Sequence, residues 1–184
     1  MNITKHDLHV YLAYENTNIL INCPNNIQQM LLKDKFHFQY VVIMELIPEL
    51  LFGLPALICQ QYCSKNFLHI YGPVGMLKII DGFSSVITQE ILNSIIITEI
   101  DKFSIKNLQI SRSNSQLCFF VDGKQTIDCE RVKNELPFGL QRAKLLKGND
   151  VVIDGISYNA AEYSKLVDPQ QIFLKFNKTI QIIE

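Results

Sequence analysis

Apolar residues along this chain come in short runs separated by polar turns. Leu8 to Tyr14 and Ile19 to Cys23 predict two paired strands, with Glu15-Asn16-Thr17-Asn18 as the hairpin turn between them. Asn25 or Asn26 is placed to cap a helix from about Ile27 to Lys33. Tyr40 to Met44 is a run of β-formers and predicts a buried strand. Gly53-Leu54-Pro55 then opens a helix to Ser64, because proline fits a first helical turn. Phe67 to Tyr71 predicts a strand, and Gly72-Pro73-Val74-Gly75 turns it into another helix. Ser94 to Glu99, Phe103 to Ser111 and Leu117 to Val121 predict further strands, the last closed by Asp122-Gly123. Gln171 to Phe176 predicts the final one. Strands alternating with helices give an α/β class with mixed sheets.

The most informative stretch is Tyr40 to Pro55. A strand there ends in a polar loop carrying Glu45, Pro48 and Glu49, and the loop feeds a helix. Such strand ends are where α/β folds commonly place their chemistry.

At 184 residues, 48% of them hydrophobic, the chain is read as one domain with a sizeable core. That composition excludes a disordered chain. A net charge of −1 excludes a global basic field, so any nucleic-acid contact must come from a local patch. Glu45, Pro48, Glu49 and Pro55 interrupt the best candidate for a membrane span. The first residues lack the apolar core of a signal peptide. The five cysteines form no Cys-x-x-Cys pair, which predicts reduced thiols in an intracellular, reducing compartment.

Candidate chemistry is sparse. His6 and His9 stand three apart near a terminus expected to fray. His37 and His69 read as a loop and a sheet histidine. Glu45 and Glu49 could bind a hard cation or act as acid and base, or simply line a solvated loop. The cysteines have no evident base partner. Arg142, Lys144 and Lys147, with Arg131 and Lys133 upstream, form the basic cluster best placed for RNA phosphates. The same residues also suit an ordinary solvated surface.

Four segments in order resemble the ribonuclease Z family, tRNA 3′-processing endonucleases of the metallo-β-lactamase fold. Asn22-Cys23-Pro24-Asn25-Asn26-Ile27-Gln28 is similar to its Asn/Asp-Cys-Gly-Glu-Gly-Thr-Gln. Gly53-Leu54-Pro55 matches the Gly-Leu-Pro-Gly that follows the family's His-x-His-x-Asp-His loop. Gly72-Pro73-Val74-Gly75-Met76 matches Gly-Pro-x-Gly-Leu. Leu136 to Gly148 and Val151 to Gly155 resemble Pro-Pro-Gly-Pro-Leu-x-Gly-x-Leu-Lys-x-Gly and Val-x-Leu-x-Asp-Gly.

The resemblance implies a partial metallo-β-lactamase-like αββα sandwich over residues 1–184, with an arm-like segment at about 124–150. It implies that the edge strand before Leu8 is shortened or missing, and that later histidine motifs are absent. Counting back from Gly53, the metal ligands fall on Glu45, Ile47, Glu49 and Leu50. Ile and Leu offer zinc no donor, so no metal, cofactor or catalytic residue is expected. The chain is thus similar to the inactive N-terminal half of the long form, or to ribonuclease Z-like reading frames of some plastid genomes. The expected function is a degenerate, non-catalytic protein that binds tRNA or a partner subunit, as homodimer or heteromer, across an apolar sheet face left uncovered. Alternatives are an active zinc-dependent tRNA 3′-processing endoribonuclease and a non-functional relic.

Overall fold

The computed structural model describes every residue except 26, 28, 30–36, 114, 122–124, 137, 138, 154, 167–169, 178 and 184. The chain divides into two compact units, Met1–Phe119 with Gln171–Glu184, and Phe120–Gln170.

The larger unit holds two sheets. Six strands lie in sequence order: β1 (Asn2–Lys5), β2 (Val10–Tyr14), β3 (Thr17–Ile21), β4 (Tyr40–Val42), β5 (Leu68–Gly72) and β6 (Ile95–Glu99). The first three are antiparallel and β3 to β6 are parallel. The β2–β3 turn has Glu15 at φ 47° and Asn16 at φ 59°, the doubly left-handed geometry that matches strand twist.

Leu20, Val41 and Ile70 pair across three neighbouring strands. This row packs against helix α1 (Leu54–Cys63) through Leu54, Leu57 and Ile58, and against α2 (Met76–Gly82) through Met76 and Ile80. Leu92 of the short helix α3 (Gln89–Leu92) joins the same core. Each such buried aliphatic contributes about 2 kcal/mol by its removal from water.

Alternation along the strands sends Tyr40, His69 and Tyr71 to the opposite face. There Tyr71 stacks on Phe103 of the second sheet, ring centroids 3.9 Å apart. That sheet runs β15 (Thr179–Ile183), β14 (Gln170–Asn177), β9 (Gln116–Val121), β8 (Leu108–Ser113), β7 (Lys102–Ile105).

Several expectations change. The N-terminus is not frayed and the first edge is not missing: β1 pairs with β2 over four residues. The strand expected over Phe103–Ser111 is a hairpin, β7–β8, whose turn places Lys106 at φ 55°. A further strand, β15, follows the one expected at Gln171–Phe176. Among the described residues of the second sheet, Gln109, Gln171 and Lys175 are exposed beside Phe173. The Asn26 cap, most of the helix expected at Ile27–Lys33 and the Asp122-Gly123 turn lie outside the described residues. Among those residues, no helix is long and apolar enough to cross a membrane.

The smaller unit holds β10 (Gln125–Ile127) paired with β13 (Ser164–Leu166), and a hairpin of β11 (Val151–Ile153) with β12 (Ile156–Tyr158). Helices α4 (Cys129–Glu135) and α5 (Leu140–Leu146) complete it. Its core is Val132, Leu136, Leu145, Val151, Ala160 and Tyr163. Asp128 caps α4 by accepting from the Glu130 and Arg131 amides at 3.2 Å. In sequence, the unit is inserted between β9 and β14, which neighbour each other in the second sheet.

Candidate functional site at the strand ends

Asn22 follows β3 with its side chain fully buried and φ 60°. Its Nδ2 donates to the Leu8 carbonyl at 3.2 Å, and its Oδ1 accepts from the Met44 amide at 3.0 Å. The Asn22 amide donates to the Val42 carbonyl at 2.8 Å. One residue on, the Cys23 amide donates to the Leu50 carbonyl and the Cys23 carbonyl accepts from the Gly53 amide, both at 2.8 Å. The two loops are thus laced together by main-chain bonds. Gly53 is required there: a Cβ would lie 2.2 Å from the Pro24 carbonyl oxygen and 2.7 Å from Ile27 Cγ2. Burial pushes the Cys23 thiol pKa well up, which makes it an inert core residue.

The four metal-ligand positions carry different surroundings. Leu50 is 0% exposed and belongs to the core. Ile47 precedes the 3-10 turn Pro48–Leu50, and Glu49 on that turn is exposed. Glu45 is half-buried and its Oε1 accepts from the Ser115 hydroxyl. Hydrocarbon thus stands at two of the four places, and no group of three or more His, Cys, Asp or Glu that could hold a metal ion occurs among the described residues. This donor set does not fit the zinc centre the resemblance implies.

The Gly72–Gly75 turn is closed in its own way. A Cβ on Gly72 would meet Met76 Cγ at 2.9 Å, and Gly75 sits at φ 102°. The Gly75 and Leu77 amides both donate to Glu99 Oε1, at 2.9 and 2.8 Å. The amides at this helix start thus hold a carboxylate of the same chain, in the place an anion would take. Glu99 carries no spacing signal in the sequence, because it arrives from the end of β6.

The four histidines lie at three separate places in the fold. His6 and His9 stack with centroids 4.4 Å apart in the β1–β2 turn, where the His6 amide donates to the His9 carbonyl at 2.9 Å. That turn is held from outside by the Ile180 amide, which donates to the Asp7 carbonyl at 2.8 Å. His9 is 3% exposed, and neither ring nitrogen has a hydrogen-bond partner among the described residues. Burial, reinforced by His6 and opposed by Asp7, lowers its pKa to about 4. His69 Nε2 is 2.8 Å from Thr98 Oγ1, its ring stacks on Tyr71 at 4.1 Å, and burial lowers its pKa. His37 Nδ1 is 2.8 Å from Asn66 Nδ2.

The basic residues lie on the two helices of the smaller unit. Arg131 Nε donates to Glu135 Oε1 at 2.9 Å, and its NH1 donates to the Glu162 carbonyl at 2.9 Å. Its guanidinium lies 4.8 Å from the Tyr163 ring centroid. The Glu135 bond raises the Arg131 pKa and lowers that of Glu135. Lys133 follows two residues later, about 200° round the same helix. Arg142 is half-buried on α5. Lys144 and Lys147, three residues apart at the end of α5, share one side of it and are exposed. Arg142 is turned about 200° from Lys144. Lys133, Lys144 and Lys147 are exposed, and the last two share one side of α5.

No family model matches the chain, and no curated protein matches it. Solved structures similar to it include human tRNase Z, short form, at 20% identity and TM-score 0.46, covering 67% of this chain and 53% of that one. A diphosphatase of the PhnP family aligns at 8% identity and TM-score 0.47, covering 66% of this chain and 44% of that one. The metallo-β-lactamase fold protein YhfI from Bacillus subtilis aligns at 11% identity and TM-score 0.43, covering 66% and 45%. The chain spans about half the length of these neighbours.

Proposed function

We propose that this chain is a ribonuclease Z-like protein that binds tRNA without cutting it. The observation that carries the reading is Leu50. It stands where the family's third histidine falls, it is fully buried, and its carbonyl is bonded to Cys23. A metal centre there would require a polar side chain in the middle of a packed core. The loop that would do chemistry is, in this reading, a structural fastening.

Binding falls to the smaller unit, which we read as the arm, a domain-like insertion in a metallo-β-lactamase-like fold. Lys144 and Lys147 reach phosphate oxygens from the end of α5, and Arg142 and Lys133 add long-range attraction. Arg131 holds the unit together through Glu135 and Tyr163 and contributes little to RNA.

A filter-binding titration of the intact chain with tRNA at several salt concentrations tests this. Lys144→Ala with Lys147→Ala is expected to weaken binding about 10-fold at low salt and to flatten the salt slope by about 2. Unchanged binding would remove the arm from the account. Specific cleavage of a precursor tRNA would overturn the non-catalytic part.

A partner subunit is the second element of the proposal. The edge strand β6 exposes Ile96, with exposed Ile100 just beyond it, and an edge of that kind suits strand addition. Sedimentation showing a strict monomer at micromolar concentration, with no partner recovered, would remove this element.

A further inference from the structure

We infer that the amino ends of the parallel strands form a nucleotide-binding site, with Phe67 as stacking platform and Lys65 as phosphate contact. This site is at the opposite end of the sheet from the Gly53 fastening, and it stands independently of the arm reading.

Three adjacent strands begin there. Tyr40 opens β4, Phe67 precedes β5 and Ser94 precedes β6. Helix α1 ends at the same level in Tyr62 and Cys63. Between them lies a hollow of about 500 Å³ lined by Tyr62, Cys63, Lys65, Asn66, Phe67 and Ser94. A second hollow of about 190 Å³ is lined by His37, Phe38, Gln39, Tyr40, Asn66 and Phe67. Asn66 and Phe67 line both. The larger hollow is of the size that takes a small organic ligand.

The chemistry at the shared wall is specific. Phe67 is 58% exposed, although it sits between a helix and a strand whose other apolar residues are largely covered. An open aromatic face on the wall of a largely apolar hollow suits a base, because every nucleobase has a π-face to lay on it. Asn66 Nδ2 is bonded to His37 Nδ1, which fixes the amide plane and leaves Oδ1 to accept from an exocyclic amine. Lys65, two residues from Phe67, is exposed and enters no ion pair among the described residues. The nearby Glu90 is engaged instead by the Tyr62 hydroxyl, which donates to its Oε1 at 2.5 Å. Ser94 Oγ donates to the Ile91 carbonyl at 2.6 Å and keeps its lone pairs for a sugar hydroxyl. Ring, amide and single cation, placed on consecutive residues, match base, base edge and phosphate.

The ligand is either a free nucleotide or a single-stranded residue of an RNA chain, and the test separates them. The chain contains no tryptophan, so Phe67→Trp introduces a single indole at the platform. Its fluorescence is followed in the full-length chain on titration with AMP, UMP, ribose 5-phosphate and a five-residue single-stranded RNA. Quenching by the nucleotides or by the RNA, and none by ribose 5-phosphate, is the expected result. RNA alone acting would assign the site to a chain, and AMP acting equally would assign it to a free nucleotide.

Binding to the unmodified protein, followed by NMR, should weaken at least about 10-fold in Phe67→Ala. Lys65 has φ 55°, a conformation glycine adopts freely. Lys65→Gly should therefore keep the fold and still lose several-fold in affinity for AMP. Lys144→Ala with Lys147→Ala should leave AMP binding unchanged, so the two sites fail separately. Equal binding of ribose 5-phosphate and AMP, unaltered binding by Phe67→Ala, or no binding by any of the probes at millimolar concentration would overturn the inference.

Discussion

The two ends of the parallel strands β3 to β6 are finished differently. At the carboxyl ends, loops bond to one another: Asn22 to Leu8 and Met44, Cys23 to Leu50 and Gly53, Glu99 to the start of α2. At the amino ends the loops are bonded too, Asn18 to His37 and Gln39 and His37 to Asn66, but they border two hollows at which Phe67 and Lys65 stay exposed. An α/β sheet usually reserves its carboxyl end for ligands. Here the Asn22 and Glu99 side chains of that end are engaged in hydrogen bonds that hold the fold. Gly53, Gly72 and Gly75 are demanded there by close packing or positive φ.

Substitutions at the fastened end should cost far more stability than those at the open end. Gly53→Ala drives a Cβ into the Pro24 carbonyl and is expected to lower stability by about 3 kcal/mol or more in urea unfolding. A loss under 1 kcal/mol would mean that the two loops yield easily. Asn22→Ala removes two buried hydrogen bonds and a residue suited to φ 60°, for an expected loss of about 2 to 3 kcal/mol by the same measurement.

His9, beside this end, makes stability depend on pH. Its folded pKa near 4 lies below the unfolded 6.5, so folding favours the neutral ring. The contribution is complete above pH 6.5 and declines as pH falls from 6.5 toward 4, by about 2 kcal/mol. His9→Phe should flatten that part of the profile, and an unchanged acid limb would place the titration elsewhere. Glu99→Gln weakens the closure of α2 and should cost about 1 kcal/mol. At the open end Phe67→Ala should change stability by less than about 0.5 kcal/mol. A larger loss there would erase the contrast.

What could be read beforehand follows from how local the signal was. The β-branched run before Glu45, Pro55 in a first helical turn and the Gly72-Pro73 turn each depend on neighbours in sequence, and each element stands as expected. The β7–β8 hairpin was hidden because its turn uses Lys106 at positive φ where glycine or asparagine is the usual mark. Strand β1 was hidden because a polar stretch, Asn2–Lys5, forms an edge that needs only one partner. Helix α4 had a signal in Asp128, an N-cap three residues ahead of Arg131. Within the basic cluster, the sequence did not show which cations share a side, since residues two apart on a helix diverge. Phe67 and Glu99 were legible only in space, because their partners come from other strands.

The central claim is that the Tyr40–Pro55 loop serves as a fastening and not as a metal centre. Zinc content of the purified, unaltered chain, measured after dialysis against micromolar zinc, tests it most directly. The account predicts no stoichiometric zinc, and the same reading for Glu45→Gln with Glu49→Gln. One or more zinc ions per chain, lost in that double variant, would contradict it.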